Sequence, residues 1–153
     1  MGSAGGTRGG WIVVANRFLA AEAQAHRLSV LVVEADPSAR ERMRHALGDA
    51  YHLRFASGSS EALDSLRADP PDLLVTEVDL PEGDGLRLCE EVRRLPEIEH
   101  LPIMLVTDRA SIQDKVAGFQ AGADDFVVKP VDLRLFHARI RLLCRIKGLE
   151  RPA

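Results

Sequence analysis

The chain has 153 residues and a net charge of -3, with 46% hydrophobic and 28% charged residues. That length fits one domain with a single core, and the balance excludes collagen-like, disordered and disulfide-scaffold classes. The charge is uneven: residues 1–28 carry 3 basic and 1 acidic groups, residues 29–131 carry 11 and 20, and residues 132–153 carry 6 and 2, which leaves an acidic middle between basic ends.

The first ten residues contain five glycines and only Met1 and Ala4 as apolar groups, too little to order themselves, and predict a flexible arm. Residues 12–27, rich in alanine, have good helix propensity but a weak apolar stripe, and can form an extra N-terminal helix. The apolar stretch Trp11–Ala15 is broken by Asn16 and Arg17, too early for the core of a secretory signal, and no run reaches membrane-spanning length.

Short apolar runs then recur at Val30–Val33, Leu53–Ala56, Leu73–Thr76, Ile103–Thr107 and Phe126–Val128. Most are continuously hydrophobic, as strands covered on both faces must be. Segments with helical spacing separate them. Asp36-Pro37 supplies a cap and a first-turn proline, with Met43 and Leu47 continuing a stripe to Gly48. Ala62, Leu63 and Leu66 mark a second helix, and Leu86, Cys89 and Val92 a third. Val116, Phe119 and Gln120 mark a fourth that ends at Gly122, and Leu133, Phe136, Ile140 and Leu143 a fifth. Five βα units in succession predict an α/β fold with a parallel sheet and helices on both faces. A tail or linker starts at residue 148, and its basic, helical lead-in suggests a chain that continues into an output domain.

In such sheets ligands collect beyond the carboxyl ends of the strands. Those ends read Glu34-Ala35-Asp36, Glu77-Val78-Asp79, Thr107-Asp108 and Lys129-Pro130, so several carboxylates, a hydroxyl and a lysine meet on one face. Cys89 and Cys144 lie far apart without a CxxC or histidine spacing, which argues against zinc and for a reduced, cytoplasmic chain. His26, His45, His52, His100 and His137 fall in different elements with no nucleophile beside them, and read as surface residues. Glu82 and Asp84 with Asp79 lack the ligand spacing of a calcium loop.

The segments VLVVEADPSAR (30–40), PDLLVTEVDLPEGDGL (71–86), LPIMLVT (101–107) and AGADDFVVKP (121–130) resemble, in order and spacing, the receiver domains of bacterial response regulators. The resemblance spans about residues 28–147 and implies a flavodoxin-like, doubly wound five-stranded sheet. In that family an acidic pair after the first strand and an aspartate ending the third hold Mg²⁺. The aspartate takes a phosphoryl group from a histidine kinase, and a hydroxyl, an aromatic residue and a lysine sense the change. A hard cation wants oxygen ligands and neutralises charge as the phosphoryl group moves. By resemblance Thr107 is the hydroxyl switch, Phe126 the aromatic switch and Lys129 the lysine, and the Lys129-Pro130 bond is expected to be cis.

Two positions depart from that pattern. Glu77 stands at the phosphoacceptor position, its carboxylate one methylene (about 1.5 Å) further out than aspartate would place it. Ala35 offers no ligand where the second member of the acidic pair should reach the metal, leaving Glu34 with Asp36, a helix cap. A misplacement of about 1 Å can cost on the order of a hundredfold in a positioned reaction. The expectation is a degenerate receiver, or pseudo-receiver, with weak or absent Mg²⁺ binding, in which Glu77 reaches Lys129 and imitates the phosphorylated state. Crowding by Asp36, Asp79 and Asp108 would instead raise carboxylate pKa values or draw a cation. The alternatives are an active phosphoacceptor using Glu77 or Asp79 with Mg²⁺, and an α/β enzyme or flavin-binding protein. Against the last stand the missing glycine-rich phosphate loop and the lack of a nucleophile–base pair.

The implied partners are other signalling proteins or a covalently linked output domain. A homodimer through the fourth helix, fifth strand and fifth helix is a further option, with Lys115, Asp124, Asp125, Arg139, Arg141 and Arg145 carrying alternating charge there. Asp125 and Arg139 match positions that pair across the dimer in one large subfamily. The basic last helix lacks the aromatic residues of a nucleic-acid surface, so no direct nucleic-acid or membrane partner is expected.

Overall fold

A computed structural model describes residues 27–148. The expected N-terminal arm and extra helix, apart from Arg27, and the expected tail after residue 148 lie outside the described residues. Five strands alternate with five helices: β1 (Ser29–Val33), α1 (Pro37–Leu47), β2 (His52–Ala56), α2 (Ser59–Ala68), β3 (Leu73–Thr76), α3 (Gly85–Arg94), β4 (Ile103–Thr107), α4 (Ile112–Ala121), β5 (Asp125–Val128) and α5 (Leu133–Ile146). The strands pair in parallel in the order β2-β1-β3-β4-β5. The alternation predicts the parallel sheet with helices on both faces, and the strand order is the doubly wound flavodoxin-like one that the resemblance implies.

Successive side chains on a strand point to opposite faces, so each apolar run feeds two cores. Leu31, Val33, Leu74 and Leu105 pack with Leu66, Leu88, Val92 and Phe126 beneath α2, α3 and α4. Val30, Val32, Val75, Met104 and Val106 pack on the other face with Leu47 of α1 and with Phe136, Ile140 and Leu143 of α5. The central strands β3 and β4 are buried throughout. Edge strand β2 is not: its sequence HLRFA has one exposed and three half-buried positions, because only one neighbour covers it.

Helix starts follow the caps written in the chain. Asp36 accepts from the Ser38 and Ala39 amides ahead of Pro37, Asp84 from Leu86, Ser111 from Asp114, and Asp132 from Arg134 and Leu135. α4 ends at Gly122, whose φ of 115° is a left-handed C-cap. The outward face of α4 departs from the expectation. Val116 and Phe119 do not pack inward but are about half exposed, together with Ile112, while Gly118 and Ala121 are buried. Small residues let the helix backbone lie close against Phe126 and Leu105, and that closeness turns the larger side chains outward.

Candidate functional site

Ladder hydrogen bonds continue one residue past each strand and place the polar groups at the carboxyl edge. The Glu34 amide donates to Ala56 O at 3.0 Å, Glu77 to Val33 O at 3.0 Å, and Lys129 to Thr107 O at 2.8 Å. Glu34, Glu77 and Thr107 are buried and Lys129 is half-buried. The first residue of α3 packs on the Glu77 backbone: a Cβ at Gly85 would lie 2.2 Å from Glu77 O, so only glycine fits there.

The Glu77 carboxylate is held from two sides. Its Oε1 accepts from the Val78 and Asp79 amides at 3.0 and 3.2 Å. Its Oε2 lies 2.7 Å from Lys129 Nζ, which also stands 3.5 Å from Glu34 Oε2. The Glu77–Lys129 contact is a close ion pair, and the Glu77 carboxylate is thereby held by an ammonium group on one oxygen and by backbone amides on the other. Burial of Lys129 disfavours its charge, but the Glu77 contact, with Glu34 and Asp108 behind it, outweighs this and raises the lysine pKa above its ordinary value. The Lys129-Pro130 peptide bond is cis.

The remaining acidic groups are drawn elsewhere. Asp36 is engaged in its helix cap, and its own amide donates to Glu34 Oε1 at 3.3 Å. Asp79 does not crowd Glu77. Arg109 takes it in a bidentate pair at 2.6 to 3.2 Å and holds its carboxyl below the usual range. Arg109 also stands 3.5 Å from Asp114, and its amide donates to Thr107 Oγ1 at 3.4 Å. The Arg40 side chain donates to the Glu34 carbonyl and to Ser57, tying the loop after β1 to the loop after β2. Arg109 and Arg40 escape sequence reasoning because their partners sit in other loops. The one signal was the isolated basic residue in a loop facing acidic ones. Among the described residues no three His, Cys, Asp or Glu side chains group closely enough to hold a metal ion.

Thr107 is fully buried and Phe126 nearly so, the latter against Gly118. Below the carboxyl edge a cavity of about 630 Å³ opens between α1, α5 and the sheet, with Glu34, Glu77 and Lys129 on its wall.

Of the residues expected on the α4–β5–α5 face, Lys115, Arg141 and Arg145 are exposed. Asp124 is turned inward: it accepts from Arg93 at 3.0 Å and from the Ile103 amide at 2.9 Å, with Lys147 Nζ 3.1 Å away. Asp125 and Arg139 pair within the one chain at 3.5 Å. His45, His52 and His100 are exposed, and His26 lies outside the described residues. His137 is not a plain surface residue, because its Nδ1 lies 3.0 Å from the buried Tyr51 hydroxyl. Both cysteines are buried and neither is in a disulfide, and burial pushes the Cys89 thiol up to about 12, too high for thiolate chemistry. No helix among the described residues is long and apolar enough to cross a membrane.

A family model for the response regulator receiver domain matches residues 30–141. The response regulator MprA of Mycobacterium avium (strain 104) is 40% identical over 119 residues, which cover 77% of this chain and 51% of that protein. The chain thus spans about half the length of the curated relatives it matches. Among solved structures, a candidate response regulator from Chloroflexus aurantiacus is 34% identical with a TM-score of 0.75, over 78% of this chain and 98% of that one. The non-phosphorylated HemR receiver domain from Leptospira biflexa is 32% identical with a TM-score of 0.69, over 83% of this chain and 99% of that one.

Proposed function

The chain belongs to the response regulator receiver domain family, and from that premise we propose that it is a pseudo-receiver, a signalling module that does not take phosphate by the family's aspartyl route. The observation that carries this reading is the 2.7 Å contact between Lys129 and Glu77, the residue at the phosphoacceptor position. The lysine that would meet an incoming phosphoryl group is engaged by the chain's own carboxylate, which is itself buried and fixed by two backbone amides. The imitation of a phosphorylated site is partial: the Thr107 hydroxyl oxygen accepts from the Arg109 amide at 3.4 Å, whereas sensing an anion requires the hydroxyl to donate to it.

The donor set does not fit Mg²⁺. A small cation of that kind wants near-octahedral oxygen ligation through one or two well-placed carboxylates. Here Ala35 offers no oxygen, Asp79 is taken by Arg109, and Glu77 faces an ammonium group. The output is protein–protein contact, with other signalling proteins or with an output domain covalently linked to this one. The α4–β5–α5 face, where Ile112, Val116 and Phe119 stand exposed beside Lys115, Arg139, Arg141 and Arg145, is the surface proposed for such contacts or for a homodimer.

The test is incubation with millimolar Mg²⁺ and either acetyl phosphate or beryllofluoride, read by intact mass and by calorimetry. The expected result is no phosphoryl mass gain and no saturable beryllofluoride binding. A mass gain mapping to Glu77 or Asp79 would overturn the reading. The Glu77→Asp, Ala35→Asp double variant should regain Mg²⁺ binding, because it restores both missing oxygens at their proper reach.

A further inference from the structure

The cavity of about 630 Å³ below the carboxyl edge falls within the range of small-molecule sites, roughly 300 to 1,000 Å³. Its floor is apolar: Val32, Val75 and Val106 from three neighbouring strands, Met43 from α1 and Phe136 from α5. Its mouth is charged and unbalanced, with Glu34, Asp36, Glu77 and Asp108 set against only Lys129 and Arg42. Lys129 is already occupied by Glu77 and Glu34, which leaves the surplus of negative charge to face whatever enters. At the inner end of that mouth the Glu77 carboxylate, only 8% exposed, is taken up by Lys129 at 2.7 Å and by the Val78 and Asp79 amides.

From this combination we propose that the cavity is a binding site for a small amphiphilic cation, a molecule with a compact apolar body and one terminal ammonium group. The body fills the space between α1, α5 and the sheet. The ammonium sits at the mouth, where it offsets the surplus negative charge of Glu34, Asp36 and Asp108. An anion of the same shape would meet four carboxylates against two cations, so the net charge of the mouth disfavours it. This site goes beyond the pseudo-receiver reading and does not depend on it, since the charge surplus and the apolar floor are present whether or not Glu77 can be phosphorylated.

The probes are hexylammonium chloride, hexanol and sodium hexanoate, three ligands with one tail and different heads, titrated into the whole chain at constant ionic strength. Binding is followed by methyl resonances of Val75, Val106 and Met43 and by calorimetry. Hexylammonium is expected to saturate with shifts at those methyls, hexanol to bind at least several-fold more weakly, and hexanoate not to bind. Asp108→Lys, on an exposed loop, should weaken hexylammonium by about tenfold and leave hexanol unchanged, the size expected when a charge facing an ammonium in a water-open mouth is reversed. Ala39→Met should close the space to both hexanol and hexylammonium, with far-ultraviolet circular dichroism confirming an intact fold. Hexanoate binding as tightly as hexylammonium, no saturable methyl shifts with any probe, or an affinity indifferent to Asp108→Lys would each overturn the proposal.

Discussion

Lys129 holds together two carboxylates that would otherwise repel each other across the edge of the sheet. It lies 2.7 Å from Glu77 and 3.5 Å from Glu34. Breaking a buried pair by removing one partner costs about 3–5 kcal/mol, because the other charge stays desolvated and alone. The lysine side chain keeps 27% of its exposure, so Lys129→Met is expected to cost less, about 2 kcal/mol, read as a lowered urea midpoint at neutral pH. Glu77→Gln keeps an oxygen for the Val78 and Asp79 amides and should cost about 1 kcal/mol. These site residues were legible in the sequence because each follows an apolar run at a fixed offset. Arg109, Arg40 and Arg93 were not: each is a polar residue on a loop or helix, and it joins a nearby segment to a remote one, Arg109 to Asp79, Arg40 to Ser57 and Arg93 to Gly122 and Asp124. His137 misled for the same reason, since Tyr51, its partner, lies 86 positions away.

The helices show where pattern reading succeeds and where it turns the wrong way. α3 carries a wide apolar stripe that faces the core, α1 buries only Ala39 and Leu47, and α5 buries Phe136, Ile140, Leu143 and Cys144 while Leu133, expected on the same stripe, stays half exposed. On α4 the largest apolar residues look like the inward stripe, yet the helix rests on its smallest residue there. A Cβ at Gly118 would sit 2.8 Å from the Phe126 ring and 2.9 Å from Leu105. Gly118→Ala should therefore overpack this contact and destabilise by about 1–3 kcal/mol, despite alanine's better helix propensity, as chemical denaturation would show. At the end of α3, Arg93 donates to the carbonyls of Gly122, Glu99 and Leu101 and to the Asp124 carboxylate. One side chain thus fastens two loops to a helix end. Arg93→Ala is expected to cost about 2–3 kcal/mol, with hydrogen exchange accelerated first at residues 99–101 and 122–124.

Across the whole molecule, opposite shifts bound the pH range of full stability. Lys129 binds its proton more tightly when folded, so its contribution is complete below the ordinary lysine value of 10.5 and is lost as pH rises through the raised one. Asp79 and Asp114 release their protons more readily when folded, so their smaller, solvent-screened contributions are complete above 3.8 and are lost as pH falls through the lowered values. Urea midpoints plotted against pH should form a plateau between these limits. Lys129→Met should flatten the alkaline descent and Arg109→Ala the acidic one. The topology was legible at this scale because continuous apolar runs have only one stable use, as strands covered on both sides, and β2 was the least distinct because it has one neighbour. The Glu77–Lys129 contact has a further consequence in time. An acyl phosphate is made on demand and hydrolyses, so it gives a signal both an onset and a lifetime. Under the pseudo-receiver proposal, a carboxylate and an ammonium encoded in the chain last as long as the protein does, so the duration of such a message would follow the lifetime of the molecule and not that of a labile bond.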